Sequence, residues 1–266
     1  MRLKKGHLVL ILLATLGAGV LVLDGSQRRA VPASSGTALA GEAPGLTAED
    51  RDLNVVQFNI DRGEGPDGET DLLRTAACLE RAELAGLNEV GGADQAHALA
   101  QELGQAWVFG PSELRWWREH FGNAVLSDLP STSWKNEPLP YGQAKARRGL
   151  VTVTFDWRGR SVTLLVTHID NGPDRDLQLA FVAERFAALP APKILLGDLN
   201  AGADHPVVAA WGADPTLVAT TGPLEGEAPI GIDWIVAAGF TLAEQWRCEM
   251  GASDHPAVGA RLEASF

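Results

Sequence analysis

The chain is expected to fold as an α/β (α+β) protein, a four-layer sandwich of two packed mixed β-sheets flanked by helices. Three observations lead there. From Asp52 onward, apolar β-rich runs alternate with helical stripes, the pattern of parallel strands joined by crossovers. Two β-branched runs over 149–169 meet across Arg158-Gly159, the pattern of an antiparallel hairpin. Several of the apolar runs stop at a polar side chain, so one rim of the sheets collects chemistry.

Taken in order, LNVVQFNI (53–60) reads as a strand and 61–68 as a Gly/Asp/Pro loop. ETDLLRTAACLERA (69–82) places Leu72, Leu73, Ala76, Ala77 and Leu79 on one helical stripe, and LAGLNEV (84–90) is a short strand. ADQAHALAQEL (93–103) reads as a helix; AWVFG and NAVLS read as strands around a polar, Trp-rich loop. After the hairpin, DRDLQLAFVAERFAAL (174–189) is an amphipathic helix leading into the strand KILLGDLN. GIDWIVAAG (231–239), a strand at about 241–248 and SDHPAVGARLE complete the body, with no repeat of 20–50 residues.

The first segment stands outside this pattern. Arg2, Lys4 and Lys5 precede an apolar stretch from His7 to Leu23, an export-type leader or an N-terminal membrane anchor over residues 1–23. Small-residue cleavage candidates, Val31-Pro32-Ala33 and Ala38-Leu39-Ala40, lie rather far downstream, which favours a retained anchor with the body outside the cytoplasm. Residues 24–50 are rich in Ala, Gly, Ser and Pro and read as a flexible linker, leaving 51–266 as the folded body. The two cysteines, Cys78 and Cys248, lie too far apart in sequence to form a framework, and two separate small buried residues are the favoured reading.

The chain carries a formal charge of −12, and residues 51–266 hold 17 Lys+Arg against 30 Asp+Glu. An acidic body argues against sequence-blind coating of nucleic acid, yet leaves room for a phosphate-bearing substrate met by metal ions. The polar strand ends bear on that choice. VVQFN stops at Asn59, LAGLNE at Glu89, LLVTHID at His168 and Asp170, and ILLGDLN at Asp198 and Asn200. GIDWIV begins at Asp233, and Asp254-His255 precedes PAV. Each has a bland alternative: a turn cap for Asn59, a solvated loop for Glu89, a core histidine for His168, a simple turn for Asp254-His255. Asp233, between Ile232 and Trp234, needs a partner if buried, and His255 or His168 would supply one. Jointly, three or more carboxylates, two carboxamides and two histidines suit metal-assisted phosphoester hydrolysis. Oxygen donors favour Mg²⁺, and no His or Cys spacing points to zinc. A Ser-His-Asp hydrolase is disfavoured, because Gly-x-Ser-x-Gly does not occur.

The succession QFN, LNEV, GNAVLS, RRGLVTVTF, VTHID, LLGDLNA, IDWIV and SDHPAV resembles the endonuclease/exonuclease/phosphatase superfamily, the deoxyribonuclease-I-like metal-dependent phosphoesterases. The resemblance covers about Leu53 to Leu262. It implies Mg²⁺ (or Mn²⁺) held by Glu89 with Asn59 and Asp254. It further implies Asp198 as base toward the attacking water, Asn200 on the phosphate or water, and His255 at the scissile phosphate, oriented by Asp233. His168 would be a second phosphate-facing group, although the Glu that orients this histidine in the deoxyribonuclease type has no obvious match. Arg147 or Arg148 would add positive charge near the substrate; the alternative is a solvated strand edge. Asn123 is a further substrate-binding candidate. Trp116 and Trp117, in GPSELRWWREHFGNAV, would stack a base or touch lipid, or else simply pack on the sheet. The expected partner is a phosphoester, from nucleic acid to a lipid headgroup, handled by a monomer.

Overall fold

A computed structural model describes residues 29–45, 52–115, 118–221, 231–249 and 251–266. The expected leader or anchor over 1–23 lies outside the described residues.

Two seven-stranded sheets pack face to face. The first holds β1 (Arg29–Ala30), β3 (Asp52–Asn59), β4 (Leu84–Val90), β5 (Ala106–Arg115), β6 (Arg118–Ser127), β13 (Phe240–Cys248) and β14 (Ala257–Ala264). Their order is β1-β5-β6-β4-β3-β14-β13. The second holds β2 (Ser34–Gly36), β7 (Ser131–Pro138), β8 (Gly149–Trp157), β9 (Arg160–His168), β10 (Lys193–Asp198), β11 (Leu217–Thr220) and β12 (Asp233–Ala238). Their order is β11-β12-β10-β9-β8-β7-β2. Among the described residues only β3–β4 and β9–β10 pair in parallel. Each of those crossovers carries a helix, α1 (Leu72–Leu79) and α3 (Arg175–Ala188) respectively. Helix α2 (Ala93–Leu103) follows β4, and α4 (Pro206–Ala213) follows β10.

The layering follows from side-chain alternation along each strand. Val55, Leu164, Leu196 and Ile235 point between the sheets, into one buried cluster with Leu84, Val125 and Val153. Their neighbours turn outward: Val56 and Phe58 pack under α1 and α2, while Leu165, Leu195 and Val236 pack under α3 and α4. Central strands are therefore apolar on both faces. Gly86 marks a close approach of the sheets: a Cβ there would lie 2.9 Å from both Leu196 Cβ and Val166 Cγ2. Helix α1 starts at Asp71, whose carboxylate accepts from the amides of Leu73 and Arg74.

Four differences from the sequence reading have physical causes. The segment 24–50 is not simply linker: over 29–45 it forms β1 and β2, pairing with β5 and β7, and it buries Val31 and Leu39. Edge strands need only backbone partners, so an Ala/Ser-rich composition does not betray them. Strands β5 and β6 extend through the expected Trp-rich loop as far as the Arg115–Arg118 pair. Leu73, assigned to the inward stripe of α1, is 65% exposed, because the buried side is set by Thr75, Ala76, Cys78 and Leu79. Finally, Cys78 and Cys248 are not separate residues but a disulfide, with Cα atoms 5.6 Å apart, that ties α1 to the end of β13.

Candidate active site

The catalytic candidates converge because the strands that carry them are neighbours in register. Asp198 closes β10 opposite His168 of β9 on one side and Asp233 of β12 on the other. Asn59 closes β3 opposite Asn88 of β4. A bulge between Leu87 and Val90 puts Glu89 at φ 56, a left-handed backbone rare for a non-glycine residue, and swings its carboxylate toward the rim. Asn200 also sits left-handed, at φ 47, which asparagine tolerates. The turn before β14 supplies His255, held by Ser253, whose Oγ donates to the Asn59 carbonyl at 2.7 Å and accepts from the His255 amide at 3.2 Å.

Side chains from both sheets then meet. Asn59 Nδ2 donates to Asp198 Oδ2 at 3.0 Å and to Glu89 Oε1 at 3.3 Å. His255 Nδ1 lies 2.7 Å from Asp233 Oδ2, and its Nε2 lies 3.9 Å from Asp198 Oδ2. His168 Nε2 lies 3.3 Å from that same oxygen. Asn200 donates its amide N–H to Asp198 Oδ1 at 3.0 Å, and its Nδ2 is bonded to the Ile169 carbonyl at 2.8 Å. Asn59, Glu89, His168, Asp198, Asn200, Asp233 and His255 are thus one constellation. Asp254 is exposed, 3.3 Å from Ser253 Oγ, and its charge acts on His255. Trp116 and Trp117 lie outside the described residues.

The two arginines separate cleanly. Arg148 is 9% exposed, with Nη1 3.0 Å from His168 Nδ1. Arginine has no acceptor, so Nδ1 must accept, and the proton of the neutral ring sits on Nε2, facing Asp198. Arg148 thereby fixes the tautomer that the missing glutamate left open. Arg147 turns away: its guanidinium lies 3.8 Å from the Tyr141 ring centroid and its amide donates to Glu113. Asn123 is buried and bonded to Gly149 O and Asn88, so it braces the site from below and does not line it.

Sequence reasoning missed three residues. Asn88 uses all four of its bonds, accepting from Gln57 Nε2 (2.7 Å) and the Asp198 amide (2.9 Å) and donating to Asn123 (2.8 Å) and Thr167 O (3.0 Å). It bolts the first sheet to the second directly beneath the base. Gln57 adds a bond to Asp233 Oδ1 at 3.2 Å. Asp61, whose charge bears on Glu89, enlarges the acidic cluster. For Gln57 and Asn88 the available signal was a polar residue inside an apolar strand; Asp61, in the turn after β3, carried none.

The electrostatics sort the groups into roles. Burial, with Asp233 alongside, holds the Asp198 carboxyl above the usual carboxylate range. Burial also raises Glu89. Burial, then Arg148 and His255, keep His168 well below the ordinary histidine value, hence neutral. Burial pulls His255 down, but the hydrogen bond and charge of Asp233, with Asp198 and Asp254, push it up to about 9. Among the described residues, Glu89, Asp198, Asp233 and Asp61 outnumber the cations beside them, which are Arg148, His255 and Arg62, the last paired with Asp61 at 2.8 Å. That surplus of oxygen donors and negative charge fits a hard divalent cation. Asp198, Asp233 and His255 each offer a ligand atom within 4.8 Å of the others. Within that trio, however, Asp233 and His255 already hold each other, and a protonated imidazole is no ligand. Glu89 is the better anchor; Asn59 would offer its oxygen only after its amide turned over, since Oδ1 now accepts from the Asp61 amide.

Fold and site together define a class: two packed mixed sheets whose common rim gathers carboxylates, carboxamides and histidines, the arrangement of the phosphoesterase scaffold. The chain belongs to the Endonuclease/Exonuclease/phosphatase family, whose model matches residues 56–255. Solved structures agree. The chain is similar to an endonuclease/exonuclease/phosphatase from Beutenbergia cavernae DSM 12333, at 26% identity over 81% of this chain and 72% of that one, TM-score 0.67. It shares its fold with the human Nocturnin catalytic domain with bound sulfate anion (17% identity, 90% and 97% covered, TM-score 0.64). The same holds for D. rerio TDP2 complexed with single strand DNA product (15%, 81% and 100%, TM-score 0.61). No curated protein matches the chain.

Proposed function

We propose that this protein is a divalent-metal-dependent phosphodiesterase of the nuclease type, working outside the cytoplasm by in-line attack of water on phosphorus. The observation that carries the reading is the pairing, at one rim and 3.9 Å apart, of a buried carboxylate whose pKa stands above its ordinary range, the base candidate Asp198, with an imidazole that Asp233 holds protonated up to about 9, the acid candidate His255. A phosphoryl group set between them meets a proton acceptor on one side and a proton donor on the other. Mg²⁺, or Mn²⁺, when bound at Glu89 would neutralise charge on the phosphoryl oxygens. Asp198, the stronger base for being buried, takes the proton from water. His168 donates from Nε2 while staying neutral, Arg148 supplies fixed positive charge behind it, and His255 donates to the phosphoryl or leaving oxygen. The product-bound and sulfate-bound structures of the two distant relatives support a phosphate-type ligand. Export rests on the charged-then-apolar first segment, and a disulfide suits an oxidising compartment.

Two expected results follow. Turnover of bis(4-nitrophenyl) phosphate stops on addition of a chelator and returns with Mg²⁺ or Mn²⁺; chelator-resistant turnover would remove the metal from the mechanism. A panel adding plasmid DNA, RNA, the nitrophenyl monoester, sphingomyelin and inositol phosphates locates the substrate, and cleavage of the monoester alone would make the enzyme a phosphomonoesterase. The second concerns pH. His255 acts protonated, and its pKa stands above the ordinary value, so activity persists as pH rises and falls only near about 9. Asp233→Asn removes the partner charge, and the alkaline limb then moves down toward the ordinary histidine value of about 6.5. An unmoved limb assigns that ionisation to another group.

A further inference from the structure

We infer that Asp174 is a positioning residue for the reaction: its carboxylate staples together the two loops that flank His168 and so keeps Arg148 seated on His168 Nδ1. The inference deepens the phosphoesterase reading and rests on it for the chemistry, while the staple itself is read from the fold. Asp174 stands just before α3, where an aspartate ordinarily accepts from the first amides of its own helix. Here it makes no such bond. Its two oxygens turn instead to the loop between β7 and β8 and take three consecutive amides there, Gly142 at 2.8 Å, Gln143 at 3.0 Å and Ala144 at 3.0 Å. Asp174 is only 3% exposed, so this is a built contact and not a solvated group changing partners. A helix start that forgoes its own cap breaks a local rule, and such breaks gather where function asks for them.

The staple reaches the site from both sides. On the β9 side, the amides of Asp174 and Gly172 both donate to Asp170 Oδ2, at 3.2 and 3.0 Å, two residues beyond His168. Gln178, fully buried and one turn further along α3, repeats the link. Its Oε1 accepts from the Asp170 amide at 2.8 Å, and its Nε2 donates to the Pro140 carbonyl at 3.1 Å. On the β8 side the loop is stiffened between the staple and the site. Arg147 Nη1 donates to the Ala144 carbonyl at 2.8 Å, and the Leu139 amide closes the loop on the Arg148 carbonyl at 2.9 Å. Arg148 follows directly, with Nη1 3.0 Å from His168 Nδ1. Hydrogen bonds weaken steeply as they misalign, so a loop released from Asp174 loosens that contact. His168 would then keep its orientation through Asp198 alone, on the side where the substrate must enter.

The test uses the full chain. The ring nitrogens of isotope-labelled histidine are followed by NMR, with His168 assigned by His168→Gln and the unbonded position of its Nδ1 signal set by Arg148→Met. Asp174→Ala should carry the Nδ1 signal at least half of the way to that position. It should also lower kcat on bis(4-nitrophenyl) phosphate roughly tenfold or more, within the ~10²-fold that a remote displacement of about an ångström costs, with KM moving far less. Residues 142–147 and 170–173 line a cleft of about 910 Å³, through which formate can reach the vacated amides. Formate should therefore return both readouts toward the parent. Asp176→Asn removes a charge from the first turn of the same helix at an exposed position, and should change neither. An unmoved Nδ1 signal, no recovery in formate, or an equal loss of kcat in Asp176→Asn overturns the proposal and leaves the phosphoesterase reading standing. Should Asp174→Ala not fold, Gln178→Met, which gives up the links to Pro140 and Asp170, decides by the NMR and kcat readouts. Should the parent turn over no phosphoester while the Nδ1 signal moves as expected, the phosphoesterase reading fails and the seating of Arg148 by Asp174 stands.

Discussion

Asp198→Asn should lower kcat by about 10²–10⁴-fold, the range for loss of an acid–base group, while leaving the protein at least as stable as the parent. The two effects share one cause. The Asp198 carboxyl is buried and lies beside Asp233, which together hold its pKa above the ordinary carboxylate value. The sign follows from linkage. A carboxyl raised in the folded state costs nothing while protonated in both states. It costs increasingly as pH climbs from the unfolded value toward the raised one, and the full cost persists above that. At pH 8 in chelator the parent carries that cost and the amide does not. The steric fit is kept, and the amide oxygen can still accept from Asn59, which now donates to Oδ2 at 3.0 Å. Kinetics and a thermal scan of the two proteins make the check. Glu89→Gln and His255→Gln should share the loss of turnover. A variant of Asp198 retaining a tenth of the parent's kcat would deny it the role of base.

That coupling of strain to chemistry explains what was legible in the sequence. The site residues stood out because each breaks a local rule: an apolar strand has no reason of its own to end at Asp198, or to start at Asp233 beside Ile232 and Trp234. The layers were legible for the opposite reason, since runs such as Leu164 to Val166 are apolar on both faces and only a doubly covered strand accepts that. What could not be read was partnership between distant residues. Nothing in RRGL says that Arg148 turns in against His168 while Arg147 turns out onto Tyr141; that depends on which side of β8 faces the rim. Asn88 looked like a neighbour of Glu89, and only the approach of β10 reveals it as the acceptor for the Asp198 amide. Leu73 fits a helical stripe equally well in or out until the sheet beneath α1 is placed. The edge strands β1 and β2 are recognised by their neighbours' unpaired backbone, not by their own side chains.

Replacing Cys78 and Cys248 together by alanine should cost about 2–4 kcal/mol of unfolding free energy, the usual range for a native disulfide. It should also make the urea transition indifferent to reductant, whereas the parent's transition shifts down when reduced. The bond spans a sequence separation of 170 residues, so in the unfolded chain it forbids a very large share of conformations. In the folded chain its position is what counts. Cys78 belongs to α1, which packs on the first sheet, and Cys248 is the last residue of β13. Beyond β13 the chain turns through Ser253, Asp254 and His255 before entering β14. A turn that must hold His255 Nδ1 at 2.7 Å from Asp233 is therefore pinned at its entrance by the disulfide and at its middle by the Ser253 bond to Asn59. The double variant should accordingly lose turnover on warming earlier than it loses secondary structure, since local opening of that turn precedes global unfolding. Loss of both signals at one temperature would show that the bond supports the whole body and not the turn. Either way the dependence sets a direction for the cell: a reducing compartment withholds the bond and an oxidising one supplies it, which supports the location outside the cytoplasm proposed above.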